Sequence, residues 1–165
     1  MTITRATFLG GLVTVVGAPF LVAWQSPRVP SFTMAGHSMD PTLHNGQIIS
    51  YDLASYRHSR LRRGDIIVFT TPFDTTRTGI KRVIGLPGET VMVRRGTIFI
   101  NDRPLSEPYI PAAYRAAYEM PAVTVPPHVL FVLGDNRKHS FDSHSWGQTY
   151  PLQEKLVLGR ARLRR

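Results

Sequence analysis

Cysteine is absent from the 165 residues, which removes disulfides, thiolate metal sites and a cysteine nucleophile together. The six histidines stand singly and none forms a His-x-x-x-His pair, so no metal site and no cofactor is expected. Acidic residues are scarce, 11 Asp and Glu against 20 Lys and Arg, for a formal net charge of +9. A surface of that sign fits an anionic partner, either nucleic acid or lipid headgroups. Uninterrupted helix-compatible stretches are also few, because 13 Gly and 13 Pro divide the chain. That composition predicts a mainly β domain rich in turns, with room for one hydrophobic core.

The exception is residues 6–24, a run without a single charge. As a helix at ~1.5 Å per residue it is about 28 Å long, close to the ~30 Å hydrocarbon core of a bilayer. No Ala-x-Ala-like cleavage site follows it, and Trp24 suits an interfacial anchor. Residues 1–24 are therefore read as a membrane anchor, residues 25–30 as a linker and residues 31–165 as one β-rich domain. The short head carrying Arg5 favours delivery of the domain across the membrane. An anchor makes anionic lipid the expected partner of the basic surface; the Arg-rich loop and tail lack the helix-turn-helix pattern or interleaved aromatics of a nucleic-acid site.

Within the domain, alternation predicts a strand over 31–36, with Phe32 and Met34 on one face, and others over 47–52, 66–69, 80–84 and 129–133. Residues 89–93 and 96–100 read as a hairpin, 70–78 as a polar connection, and 155–165 as a closing strand. Residues 104–121, with prolines and three tyrosines, read as an excursion from the sheet, with a helical turn around 112–117. In the strand Ile80-Lys81-Arg82-Val83-Ile84 the period of two turns Lys81 inward and sends Arg82 to the other face and water.

An ammonium in an apolar strand is costly, and its pKa falls instead. A lysine made neutral in this way can take the proton of a serine hydroxyl, and Ser38 stands in a turn between two predicted strands. The densest polar stretch, residues 134–147, follows a buried strand and is placed to surround a site.

Four ordered blocks carry a resemblance: Ser38-Met39-Asp40-Pro41-Thr42-Leu43, Arg63-Gly64-Asp65-Ile66-Ile67-Val68-Phe69, Lys81-Arg82-Val83-Ile84-Gly85-Leu86-Pro87-Gly88, and Gly134-Asp135-Asn136-Arg137 through Ser140, Asp142 and Ser143. Behind a single anchor they resemble the type I signal peptidases, the membrane-anchored Ser-Lys serine endopeptidases that remove signal peptides from exported preproteins. The resemblance implies a mainly β, two-sheet catalytic core and no oligomeric state in particular. It implies Ser38 as nucleophile, Lys81 as general base, and Ser140 as the hydroxyl that orients the lysine. Asp135, Asn136, Arg137 and Asp142 become structural supports, and Phe32, Met34, Leu43 and Ile80 line shallow pockets for small side chains. The catalytic domain is then expected on the outer face of the cytoplasmic membrane or of an equivalent organelle membrane.

The chain departs from that pattern twice. Gly36 stands where one branch has a serine that helps stabilise the oxyanion, so the donors are expected to be the main-chain N–H of Ser38 and either a main-chain N–H in the Gly36 turn or an ordered water held there. His144 stands where many relatives have an arginine paired with the aspartate at 142. The alternatives are a self-cleaving repressor-type peptidase with the same dyad and a membrane-tethered basic binding protein.

Overall fold

The architecture follows from two strands that are buried on both faces. In the computed structural model, which describes residues 30–56, 59–146 and 151–163, Ile66–Thr71 (β3) carries Ile66 and Val68 into one hydrophobic cluster and Ile67 and Phe69 into another. Val129–Leu133 (β9) does the same, Leu130 and Val132 on one side and Phe131 and Leu133 on the other. Strands covered on both faces read as continuous apolar runs, which is how both appear in the sequence.

Around these two form Ser31–Thr33 (β1), Ile48–Asp52 (β2), Asp74–Gly85 (β4), Thr90–Arg94 (β5), Thr97–Ile100 (β6), Arg103–Pro104 (β7), Met120–Thr124 (β8), Leu152–Gln153 (β10) and Val157–Arg162 (β11). They make two sheets: a seven-stranded one in the order β1-β2-β11-β3-β4-β9-β10, and a four-stranded one in the order β7-β6-β5-β8. The only α-helix among the described residues is Ser143–Trp146 (α1), with single 3₁₀ turns at Ala112–Tyr114 and Glu154–Leu156. The expected mainly β, two-sheet domain is present. The expected anchor over 1–24 lies outside the described residues, and among the described residues no helix is long and apolar enough to cross a membrane.

Two expectations about strands change. Residues 70–78 are not a loose connection but a hairpin, in which β3 and β4 pair from Ile66↔Arg82 to Thr70↔Thr78 and close at Thr71↔Asp74. The rim of β4 is polar and exposed, so it shows no alternation, although threonine suits a strand. Residues 120–124 form β8, an outer strand paired with β5, and its Pro121 is tolerated there because an outer strand has one edge without a ladder. The tip of the β5–β6 hairpin puts Arg95 at φ 49° and Gly96 at φ 72°, the left-handed pair that a two-residue turn requires.

Arg82 does not reach water. It leaves the strand on the face opposite Lys81, as alternation requires, but is only 9% exposed. Its Nε donates to Asp135 Oδ1 at 2.8 Å, Nη2 to Asp135 Oδ2 at 2.6 Å and Nη1 to the Gly64 carbonyl at 3.0 Å. The Tyr109 ring lies 3.9 Å from the guanidinium carbon. Tyr109 belongs to the 104–121 excursion, which is therefore a cover over the sheet. The same segment supplies Glu107, 7% exposed, whose Oε2 accepts from Arg137 Nη1 at 2.8 Å. Arg137 in turn donates through Nε to the Gly134 carbonyl at 3.0 Å and through its main-chain N–H to Tyr114 at 3.0 Å. Burial alone would lower the pKa of Arg137, yet Glu107 outweighs it and raises it above the ordinary value. Removing one partner of such a pair leaves a buried charge uncompensated, so Glu107→Ala is expected to cost about 3–5 kcal/mol of stability, read as a lower urea midpoint at unchanged slope. An unchanged midpoint would show that the strap does not hold the 134–137 loop.

Candidate active site

The site is assembled from three segments. The first is the turn after β1. Gly36 takes φ +88°, a conformation that favours glycine, and its N–H donates to Asn45 Oδ1 at 2.8 Å, closing the turn over nine residues. Ser38 follows, and Met39, fully buried, anchors the turn in the core. Asp40 receives His37 Nδ1 at 2.9 Å and His44 Nδ1 at 3.0 Å, on the solvent side.

The second segment is the end of β9 and its loop. Asn136 donates its main-chain N–H to the Ser38 carbonyl at 3.1 Å and its Nδ2 to the His37 carbonyl at 3.0 Å, tying the serine turn to the loop. Asp135 binds Arg82 on one side and accepts the Thr42 hydroxyl on the other. Asp142 Oδ2 accepts the Gly134 N–H at 3.0 Å and Oδ1 the His144 N–H at 3.3 Å. Glycine is required at 134 because a Cβ there would overlap the Ser38 carbonyl and the Ser140 hydroxyl. The Ser38 turn and Ser140 therefore meet against bare main chain.

The third segment is β4. It carries Lys81, 8% exposed, whose Nζ donates to Ser38 Oγ at 2.7 Å across 43 residues of sequence. Burial brings the Lys81 pKa down to about 8, and the carboxylates of Asp142 and Asp135 oppose the fall without cancelling it. Near neutral pH a usable fraction of this amine is thus unprotonated and within reach of a hydroxyl proton.

The candidate residues are not all brought together. Phe32, Met34 and Ile80 line a cleft of about 400 Å³ that ends on Ser38 and Lys81. Leu43, expected in the same pocket, is fully buried in the cluster beneath it and does not line the cleft, because its helical-type turn from Met39 directs it into the core. Ser140 Oγ is buried with no hydrogen-bond partner, so the expected bond to the lysine is not formed; the hydroxyl is pressed on Gly134 while Nζ faces Ser38. The Gly36 N–H is taken by Asn45, whereas the Ser38 N–H has no partner among the described residues. His144 lies with Nδ1 3.7 Å from Asp142 Oδ1, and its ring stacks on Tyr118 at 4.2 Å.

Sequence reasoning missed Asn45, Glu107 and Tyr109. Asn45-Gly46 reads as a turn signal, which hints at Asn45, but nothing in the sequence of the excursion marks Glu107 as buried. Among the described residues no group of three or more His, Asp or Glu is arranged to hold a metal ion.

Because the folded chain holds a Lys81 proton only below pH about 8 while an unfolded lysine holds it to about 10.5, charging this residue opposes folding below pH 8. That cost fades as pH rises from about 8 to about 10.5. Lys81→Met is accordingly expected to raise the melting temperature at pH 7, by the equivalent of about 2 kcal/mol, with the gain shrinking toward pH 10. Scanning calorimetry at the two pH values measures it, and a destabilised methionine variant at pH 7 would contradict the burial argument.

A family model described as "Signal peptidase, peptidase S26" matches residues 5–165. The chain is 39% identical over 164 residues to "Probable signal peptidase I-2" of Synechocystis, covering 96% of this chain and 70% of that protein. It is 32% identical over 167 residues to "Signal peptidase I V" of Bacillus subtilis, covering 94% and 95% respectively. A crystal structure of a signal peptidase I from Enterococcus faecalis superposes with a TM-score of 0.54 at 36% identity, over 62% of this chain and 97% of that one. Of a second Synechocystis relative, "Probable signal peptidase I-1", the chain spans 66%. A match running from residue 5 to the last residue, joined to this level of identity, settles the assignment: the chain belongs to the signal peptidase family, peptidase S26.

Proposed function

We propose that the protein is a serine endopeptidase that cleaves N-terminal signal peptides from exported preproteins at a membrane surface, with Ser38 as nucleophile and Lys81 as general base. The observation that carries the reading is the 2.7 Å contact between Lys81 Nζ and Ser38 Oγ at the end of an open cleft, made by a lysine whose pKa burial has lowered to about 8. Neutral Lys81 takes the Ser38 proton as Oγ bonds to the scissile carbonyl carbon. The ammonium then returns that proton to the leaving amine as the C–N bond breaks. Water, deprotonated by the same amine, hydrolyses the ester and frees Ser38.

The Ser38 N–H is one donor to the oxyanion, and the second is not the Gly36 N–H, which Asn45 already occupies. β9 pairs with β4 only from Arg82↔Leu133 onward, which leaves the cleft side of β4 before Lys81 open to an added strand. An extended substrate laid there presents alternate side chains to Phe32, Met34 and Ile80, which suit small residues at the first and third positions before the cut. Residues 1–24 would hold the 31–165 peptidase domain at an anionic membrane through the 25–30 linker, on its outer face.

Ser38→Ala and Lys81→Ala are each expected to lower kcat/KM on a preprotein by at least about 10³-fold with an unchanged circular dichroism spectrum. In the parent, kcat/KM is expected to rise through pH about 8, since the base must be neutral and its activity is lost as pH falls below its pKa. A Lys81→Ala enzyme turning over at the parental rate would overturn the dyad, and equal cleavage after alanine and leucine would overturn the substrate assignment.

A further inference from the structure

The two carboxylates that act on Lys81 are balanced in different ways. Asp135 is held by both Nε and Nη2 of Arg82, a cation at every working pH. Asp142 accepts the main-chain N–H groups of Gly134 and His144, which fix its position without cancelling its charge. Among the described residues the basic side chain paired with it is the His144 imidazole, whose Nδ1 lies 3.7 Å from Asp142 Oδ1. The imidazole is 33% exposed and exchanges protons with solvent, whereas Asp142 is only 2% exposed.

The surroundings of the imidazole leave that pair to itself. Tyr118 stacks on the ring at 4.2 Å and 29°, and its hydroxyl, pushed up to about 12 mainly by burial, stays neutral wherever a histidine titrates. Glu107 and Arg137, near enough to act on Tyr118, are paired with each other and neutral as a unit. Ser145 Oγ, 3.1 Å from Nδ1, carries no charge. On its remaining side His144 borders a groove whose described lining, including Met120, Val123, Val129 and Phe131, holds no other titratable side chain.

We infer that His144 sets the strength of the catalytic base through Asp142: charged, it cancels part of the carboxylate's field at Lys81 and lets the amine lose its proton more readily, and neutral, it leaves that field in place. The inference rests on the proposed peptidase function. Burial lowers the Lys81 pKa to about 8 against the opposition of Asp142 and Asp135, so weakening the first of these lowers it further. Imidazole is the side chain that ordinarily changes charge between pH 5 and 8. The compensating charge therefore appears as the solution becomes acidic, where the ammonium form of Lys81 accumulates. Coupled in this way, the site loses activity less steeply across that range than a lone amine would. His144 touches neither substrate nor reacting atoms; it is a positioning residue whose effect is electrostatic.

The test compares the full chain in detergent as parent, His144→Arg and His144→Gln, the first variant cationic at every pH and the second at none. Lysine labelled at the ε position gives the Lys81 midpoint by NMR, and kcat/KM on one preprotein, scaled to each form's own alkaline plateau, gives the pH profile. The midpoint is expected near 8 in the parent and in His144→Gln, and lower by about half to one pH unit in His144→Arg. Below it the glutamine variant falls by about one decade per pH unit, whereas the parent leaves that line between about pH 7 and 5 and approaches the arginine profile. A merely structural role would move both variants the same way. Equal Lys81 midpoints in the two variants overturn the inference, as does a parent profile that follows the glutamine variant down to pH 5. A parent that cleaves no preprotein overturns the peptidase reading and the catalytic role of His144 with it, and the NMR midpoints separate that failure from a failure of the coupling.

Discussion

An ammonium group that cannot be solvated is the constraint from which the rest of this site follows. Lys81 is 8% exposed, and among the described residues its amine has one hydrogen-bond partner, Ser38 Oγ. Two carboxylates, those of Asp142 and Asp135, are close enough to act on it, and free carboxylates there would restore the charge by pairing with it. Both are engaged elsewhere. Asp135 is held in a two-point pair by Arg82 and also accepts from Thr42, while Asp142 accepts the main-chain N–H groups of Gly134 and His144. The ion pair at Arg82 therefore serves the base indirectly: it withdraws a carboxylate from the lysine. The position of His144 works to the same end, since Asp142 is held mainly by main-chain donors and does not need a second arginine.

This arrangement makes the 104–121 segment part of the catalytic architecture although it contributes nothing to the cleft lining. Tyr109 covers the Arg82 guanidinium, and Glu107 fixes Arg137, which fixes the Gly134 carbonyl. Gly134 is where the Ser38 carbonyl and the Ser140 hydroxyl converge. A displacement of the strap would thus be transmitted to the serine turn in three contacts. Buried charged pairs of this kind contribute geometry more than net stability.

How much of this was legible in the sequence depended on the residue. The apolar runs of β3 and β9 and the period of two around Lys81 located the core and turned the lysine inward, because those patterns are local. Ser38 and Lys81 were paired by the chemistry of a buried amine and by the resemblance to a family, since nothing in 43 residues of separation fixes a 2.7 Å contact. Arg82 was assigned correctly to the opposite face but wrongly to water, because alternation reports direction and says nothing of what covers a face. Leu43 failed for the same kind of reason, a turn that redirected an apolar side chain from the cleft into the core. Glu107 and the β4 rim were not visible at all: the first acts through a partner remote in sequence, and the second lies in a segment with no apolar period.

The most direct test of the account is a titration of the Lys81 amine itself in the full chain, by NMR of lysine labelled at the ε position, with Lys81→Met identifying the resonance. The account requires a midpoint near pH 8, set by burial and only partly offset by Asp142 and Asp135. A midpoint at or above the 10.5 of an ordinary lysine would mean that the amine is charged wherever the protein works, and the base would have to be sought elsewhere.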